Sequence, residues 1–241
     1  MVAALGLLTA SGARAVTVTI GSPLTGTFSP SSSGVAATWA NVALPPGGTL
    51  TSPSDGSIVR WRIVGATGGP FYLRVLTPVG GTSYSGAGTG PPQIPTTEAT
   101  QTFPANLPIR AGQIVGFDNA TGTDTFAINT VPGAIFTDWY PPLADGSTLP
   151  YTNPYGAGGE IQFNADVRYC VVPLVTGKKL RAARRALTAA DCTVGRIVRP
   201  KKKAKRKKAK FVRAASVAAG SSISDTASVD LRLGKKPRKA P

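Results

Sequence analysis

The chain has 241 residues, 28 of them glycine and 21 proline, and a formal net charge of +16 at pH 7. It contains no histidine, which excludes a histidine-based catalytic triad and removes the commonest ligand of transition metals. Glycine and proline together make up about a fifth of the residues, more than in an average protein but less than in low-complexity chains. The composition therefore predicts turn-rich β structure around a core, and we expect no cofactor and no metal.

The first 15 residues resemble an export signal. Val2–Leu8 is a short apolar run, and Ala13-Arg14-Ala15 fits the pattern of small residues that precedes a cleavage point. The basic residues that normally come before the apolar run are missing, so a buried N-terminal strand is the alternative. No other apolar run reaches the ~20 residues of a transmembrane helix. We expect a secreted protein that associates with the cell wall.

From residue 16 to residue 168 the apolar residues recur with a period of two, which is typical of strands. In the segment GSIVRWRIVG, for example, Val59, Trp61 and Ile63 share one face, and Arg60 and Arg62 share the other. Glycine-rich segments such as PVGGTSYSGAGTGPP and TNPYGAGG are predicted loops. About nine strands at this spacing predict an antiparallel β-sandwich of the jelly-roll type. Other predicted strands in this range are Thr38–Leu44, Ala99–Phe103, Gln113–Phe117, Thr125–Thr130, Ile135–Trp139 and Gly159–Val167.

The charge changes abruptly near residue 169. Residues 16–169 hold five basic and eight acidic side chains, whereas residues 170–241 hold 21 basic and three acidic ones. Such a shift marks a domain boundary. We predict a β-sandwich at residues 16–168, a second domain at residues 169–234 and a basic tail at residues 235–241.

The two cysteines of the chain, Cys170 and Cys192, bracket a short apolar strand, a glycine turn and one basic helix. An even pair around one small unit predicts a disulfide formed in an oxidising compartment. The segments Val194–Val198 and Ser228–Leu233 alternate as half-buried strands. The pattern predicts a small α+β domain in which one helix packs on a three-stranded sheet. The apolar stripe of that helix is Leu180, Ala183, Leu187 and Ala190.

This second module resembles a PASTA domain, the wall-sensing module of penicillin-binding proteins and bacterial serine/threonine kinases. The copy with bracketing cysteines is similar to those in secreted proteins of high-GC bacteria. The resemblance implies the order strand, helix and three strands, and contact with peptidoglycan. Two features depart from the family's pattern. One is the turn at residues 215–220, and the other is Thr226, which stands where the family has glycine. The resemblance rests on Val172-Pro173, Gly177, the helix stripe, Cys192-x-x-Gly195, Ile197-Val198, Phe211-Val212, Gly220, Val229, Leu231 and Leu233.

The segment Lys201–Lys210 has eight basic residues in ten and lies between two predicted strands. The positive charges of such a run repel one another, which predicts a loop. It indicates contact with an anionic cell-wall polymer, or a solvated loop without a partner. Nucleic acid is less favoured, because Phe211 alone supplies an aromatic ring for stacking on bases. The predicted polyanion-binding residues are Lys201, Lys202, Lys203, Lys205, Arg206, Lys207, Lys208 and Lys210.

Three groups in the first module are candidates for chemistry. The aromatic residues Trp139, Tyr140, Tyr151 and Tyr155 are candidates for stacking on sugar rings, or for a satellite core over a sheet edge. Asp138, Asp145 and Glu160 are candidates for a carboxylate pair of the glycosidase kind, or solvated loop residues. Asp118, Asn119 and Asp124, in the segment DNATGTD, are candidates for a Ca²⁺ loop, or ordinary turn residues.

The sequence thus predicts an exported, non-enzymatic protein of the cell envelope. Its PASTA-like module is expected to contact peptidoglycan or an anionic wall polymer. The sequence does not identify the ligand of the β-sandwich, for which a glycan is one candidate. One alternative is a glycan-active enzyme, a hydrolase or lyase, with its site in the sandwich loops. A second alternative is a nonspecific binder of polyanions.

Overall fold

The computed structural model describes residues 16–25, 29–32, 34–155, 158–201 and 209–235. The predicted signal peptide, Lys202–Lys208 and the tail beyond residue 235 lie outside this part of the chain. The chain divides into two compact units. The first unit is Thr17–Arg168, and the second includes the described residues from Tyr169 onward. Strands hold 55% of the residues and helix 5%, which confirms the mainly β fold. No helix in the described ranges is long and apolar enough to cross a membrane.

The described residues of the first unit form fourteen strands, the last of which continues into the second unit. In chain order they are β1 (Val16–Gly21), β2 (Ser29–Ser32), β3 (Ala37–Ala43), β4 (Gly56–Ile63), β5 (Phe71–Gly80), β6 (Ser83–Gln93), β7 (Gln101–Ile109), β8 (Ile114–Asn119), β9 (Thr125–Thr130), β10 (Ile135–Trp139), β11 (Thr148–Pro150), β12 (Asn153–Tyr155), β13 (Gly159–Ile161) and β14 (Phe163–Val171).

These strands form antiparallel sheets that pack face to face. One sheet has the order β1-β14-β4-β7, a second has the order β11-β6-β5-β8-β3-β10-β12, and a third, smaller sheet has the order β13-β9-β2. Phe163 of the first sheet and Phe117 of the second have ring centroids 5.3 Å apart. Trp61 packs on Phe163 at 5.6 Å, and Phe71 packs on Phe117 at 5.5 Å. This aromatic layer between two sheets is the core of a β-sandwich.

The alternation predicted for β4 holds for most of the strand. Trp61 and Ile63 are buried, and Arg60 is exposed. Val59 is the exception: it is half-buried, and Ile58 takes the fully buried position before it. The register with β7 shifts between Ile58 and Arg60, so a bulge displaces Val59 from the core face.

Glycine-rich segments that were predicted as loops form strands instead. β6, eleven residues long, pairs along β5, and β12 pairs with β10. A Cβ on Gly86 of β6 would meet the carbonyl oxygen of Ala144, so the glycine permits a close backbone approach. Hydrogen bonding of the main chain to neighbouring strands therefore forms β6 and β12, although their sequences show no alternation of apolar and polar side chains.

In the residues that the structure describes, the second unit has one helix and a small sheet. Its elements are α1 (Leu180–Ala189), β15 (Thr193–Val198), β16 (Phe211–Ala215), β17 (Ser222–Ser224) and β18 (Ser228–Gly234). β18 lies between β15, to which it is parallel, and β16, to which it is antiparallel. β17 pairs with Tyr169–Val171 at the end of β14. The structure confirms the predicted helix on a three-stranded sheet.

A compact apolar core and a disulfide hold this unit together. Ala183 and Leu187 of α1 are fully buried against Val229 and Leu231 of β18. Cys170 and Cys192 are bonded, with their Cα atoms 5.1 Å apart, so the predicted disulfide is confirmed. In a chain-entropy model, closing a loop of this length contributes roughly 3 kcal/mol of stability.

Candidate functional site

The surface of the second unit is strongly basic. Every described lysine and arginine between residues 170 and 235 is exposed. Arg196 approaches Asp230 at 3.8 Å, but the arginine side chain is 79% exposed, so the pair neutralises little. Among the predicted polyanion-binding residues, Lys201 and Lys210 lie on this surface. The other six lie in the segment that is not described.

Two main-chain hydrogen bonds draw separate basic segments together at the start of α1. The amide of Leu180 donates to the carbonyl of Lys210 at 3.1 Å, and the amide of Val212 donates to the carbonyl of Lys178 at 2.9 Å. The chain that enters β16 is thereby fixed beside the first turn of the helix. Lys210 and the basic residues that begin α1 consequently share one side of the unit.

A cleft of about 220 Å³ lies at this junction, and we call it the basic cleft. Four cationic side chains line it, and Leu180, Ala209 and Leu233 supply its apolar part. Sequence analysis found Lys210 but missed the other three cations, because they come from segments that are apart in the chain. The four cationic residues are Lys179, Arg181, Arg199 and Lys210.

The four aromatic residues proposed for sugar stacking do not share one exposed face. Trp139 is 1% exposed, and its Nε1 donates to the carbonyl of Leu149 at 3.2 Å. It packs edge-on against Tyr84 and against the half-buried Tyr151. Tyr140 is 59% exposed, and the side chain of Tyr155 lies outside the described part. The interior position of Trp139 makes it part of a core and keeps it from a ligand.

The three candidate carboxylates have different surroundings. Asp138 and Glu160 are buried, at 3% and 1% exposure, whereas the side chain of Asp145 is 49% exposed. Glu160 accepts a hydrogen bond from Nε2 of Gln162 at 3.1 Å. Asp145 instead interacts with Arg74 at 2.9 Å. Asp145 is therefore the one of the three with open access to solvent.

A carboxylate pair that sequence analysis did not propose surrounds the buried Arg74. This arginine contacts Asp118 at 3.2 Å and Asp145 at 2.9 Å, and its own side chain is 5% exposed. Burial raises the pKa of Asp118 to about 6, although Arg74 and a hydrogen bond from Thr38 oppose the rise. The nearby Asp145 contributes to this rise in the pKa. One carboxyl that titrates near pH 6 thus lies beside an exposed carboxylate.

Asn119 and Asp124, in the segment DNATGTD, accept hydrogen bonds from other parts of the first unit as well as from the segment itself. Asn119 is fully buried, and its Oδ1 accepts from the amide of Ala37 at 3.0 Å and from Nε1 of Trp39 at 2.9 Å. Asp124, also buried, accepts from the amides of Gly69 and Thr121. These carboxylate and amide oxygens are therefore engaged by N–H groups of the protein itself. Within the described ranges, no group of three or more cysteine or acidic side chains is placed to hold a metal.

Comparisons with protein-family models, with curated proteins and with solved structures find no match. The resemblance of the second unit to a PASTA domain therefore stays a prediction.

Proposed function

We propose that this protein is an exported binding protein of the cell envelope, and that its second unit contacts peptidoglycan or an anionic wall polymer. The observation that carries the proposal is the exposed, largely unneutralised positive charge of that unit. Residues 170–241 hold 21 basic side chains against three acidic ones. A surface of this kind attracts polyanions over a distance of about a Debye length.

Two further observations support this proposal. The disulfide between Cys170 and Cys192 is typical of proteins that mature in an oxidising compartment. The pattern that resembles a PASTA domain, a wall-associated module, covers the same unit. The first unit then acts as the part that the second unit holds at the wall, and its own ligand is a separate question.

The test is retention of the full chain on isolated bacterial walls. Screening shortens from about 8 Å at physiological ionic strength to about 3 Å at 1 M salt, so charge-driven retention should collapse at 1 M. Replacing the eight basic residues of Lys201–Lys210 by glutamine and serine should remove most of the binding. Arg110→Gln, at an exposed position of the first unit, is the control and should leave retention unchanged.

The outcome also separates this proposal from nonspecific binding of polyanions. Retention that survives 1 M salt, or that the Lys201–Lys210 variant keeps in full, would contradict a charge-driven anchor. A nonspecific binder would bind heparin and nucleic acid as tightly as wall polymer at the same charge concentration. A wall-binding protein should instead show saturable retention that soluble wall fragments displace.

The second candidate function is a glycan-active enzyme, and the carboxylates around Arg74 favour it. A carboxyl with a pKa of about 6, Asp118, lies beside the exposed Asp145, and glycosidases use one protonated and one ionised carboxyl. Hydrolysis of wall glycans by the full chain, lost in Asp145→Asn but kept in Glu98→Gln, would establish it. Glu98 is an exposed acid of the same unit. Equal activity of both variants would reject this site.

A further inference from the structure

We infer that the basic cleft binds a phosphate group, and that the phosphate belongs to a chain of phosphodiesters that continues along α1. Lys179, Arg181, Arg199 and Lys210 place four cations around one small cleft, and all four are exposed. No carboxylate forms an ion pair with them among the described residues. A cleft that gathers positive charge without an internal counterion is suited to an anion from outside. This inference rests on the proposed function in taking the chain to be an envelope polymer.

The cleft offers main-chain donors as well as charge. Lys179 is the N-cap residue of α1, and its side chain makes no capping hydrogen bond to the helix. The first turn of α1 contains no acidic residue. The amides of Arg181 and Ala182 have no hydrogen-bond partner in the described part of the chain. In many helices, amides at these positions donate to the side-chain oxygen of an N-cap serine, threonine, aspartate or asparagine. A phosphate oxygen would accept from both amides while the surrounding cations balance its charge.

The arrangement of cations along α1 favours a chain over a single phosphate ion. Arg181, Arg184 and Arg185 lie at spacings of three and four residues, so they follow one face of the helix. At a rise of 1.5 Å per residue this row continues for about 6 Å from the cleft. A phosphodiester chain that enters at the cleft can place its next phosphate beside Arg184 and Arg185. A free phosphate ion would use the cleft alone.

The apolar part of the cleft is compatible with the linker between phosphates. Leu180 and Leu233 border the four cations, and they offer carbon surface to the carbon atoms of a polyol or sugar. The opposite face of β18 carries Arg232, which is also exposed but lies outside the cleft. Arg232 therefore provides a control with the same change of charge.

The experiment is a titration of the full-length ¹⁵N-labelled protein, followed by NMR at constant ionic strength. Three probes are used: inorganic phosphate, a glycerol-phosphate oligomer, and phosphatidylglycerol vesicles. We expect both phosphate and oligomer to shift the amide signals of Arg181 and Ala182 saturably. The oligomer should bind about tenfold more tightly per phosphate, because it also reaches the α1 arginines. The vesicles should bind no more tightly than inorganic phosphate does.

Two variants test the geometry. Lys179→Asp supplies a carboxylate that caps the free amides itself, so affinity for phosphate should fall about tenfold or more while the melting temperature of the second unit does not fall. Arg199→Gln, which leaves the helix unchanged, should also lower affinity. Arg232→Gln should not. Equal losses in Arg199→Gln and Arg232→Gln would overturn the cleft as a site and leave only general charge.

Three other outcomes overturn the inference. If neither amide signal shifts saturably, the cleft is not a phosphate site. If the oligomer binds no more tightly than inorganic phosphate, the chain is not the ligand. If vesicles bind most tightly, the source of the phosphate is a lipid surface. Wall retention measured on the same variants distinguishes the two proposals: unchanged, salt-sensitive retention in Lys179→Asp leaves the proposed function standing while the cleft fails.

Discussion

Replacing Asp166 should destabilise the first unit in a pH-dependent manner. Asp166 lies on β14 opposite Arg60 of β4, and its side chain is 2% exposed. Its carboxylate accepts from Oγ1 of Thr19 at 2.7 Å and from Arg62 at 2.8 and 3.0 Å, and it also pairs with Arg60. The carboxylate joins β1, β4 and β14.

The pKa of Asp166 gives the magnitude. Burial raises the pKa, but the hydrogen bonds from Arg62, Thr19 and Arg60 outweigh it and lower the pKa from 3.8 to about 2. Because the folded pKa is below the unfolded one, the stabilisation is fully present above pH 3.8 and is lost as the pH falls towards 2. This shift of the pKa corresponds to a contribution of about 2 kcal/mol to the free energy of unfolding. The contribution is smaller after solvent screening at Arg60, whose side chain is 52% exposed.

The assay is urea unfolding of Asp166→Asn and the parent protein, followed by tryptophan fluorescence. The three tryptophans, Trp39, Trp61 and Trp139, all belong to the first unit, so the signal reports on that unit alone. We expect a loss of about 2 kcal/mol at pH 7 that shrinks towards zero near pH 2. Glu98→Gln is the control. A loss below about 0.5 kcal/mol at pH 7, or one that is the same at both pH values, would refute the reasoning.

Three other variants test further features. Asp118→Asn should gain stability relative to the parent as the pH rises from about 4 to 6, by at most about 3 kcal/mol, because the folded pKa of about 6 lies above the unfolded 3.8; a pH-independent difference in urea unfolding would contradict this. Gly86→Ala should cost about 1–3 kcal/mol, since its Cβ meets the backbone of Ala144, and an unchanged urea midpoint would rule out the close approach. Reducing the Cys170–Cys192 bond should destabilise the second unit by roughly 3 kcal/mol while the tryptophan signal stays native; protection of α1 amides from hydrogen exchange measures the loss.

The sequence predicts strands well where side chains alternate and poorly where the backbone alone decides. β9 and β10 have the predicted bounds, and each contributes buried apolar residues to the core, among them Phe126 and Trp139. β6 escapes prediction since glycines and prolines replace the apolar residues that a period of two requires. Its partner β5 and the close approach at Gly86 determine the strand, and neither is a local property of the sequence.

The candidate site shows the same division. The basic character of the second unit is visible in composition, and Lys210 was among the predicted residues. The basic cleft is not visible, because Lys179, Arg181 and Arg199 become its neighbours only when the chain before β16 pairs with the start of α1. The carboxylates around Arg74 also come from separate strands and loops, so spacing along the chain gives no sign of them.

The position of β18 affects how the chain acquires its structure during synthesis. β18 is the last of the described strands in sequence but lies in the middle of its sheet, between β15 and β16. β14 is likewise the last strand of the first unit and lies between β1 and β4. A nascent chain therefore lacks an inner strand of each of these two sheets until β14 or β18 leaves the ribosome. The pairing of β1 with its sheet, and the joining of β15 to β16, are therefore delayed until nearly the whole of each unit has been synthesised.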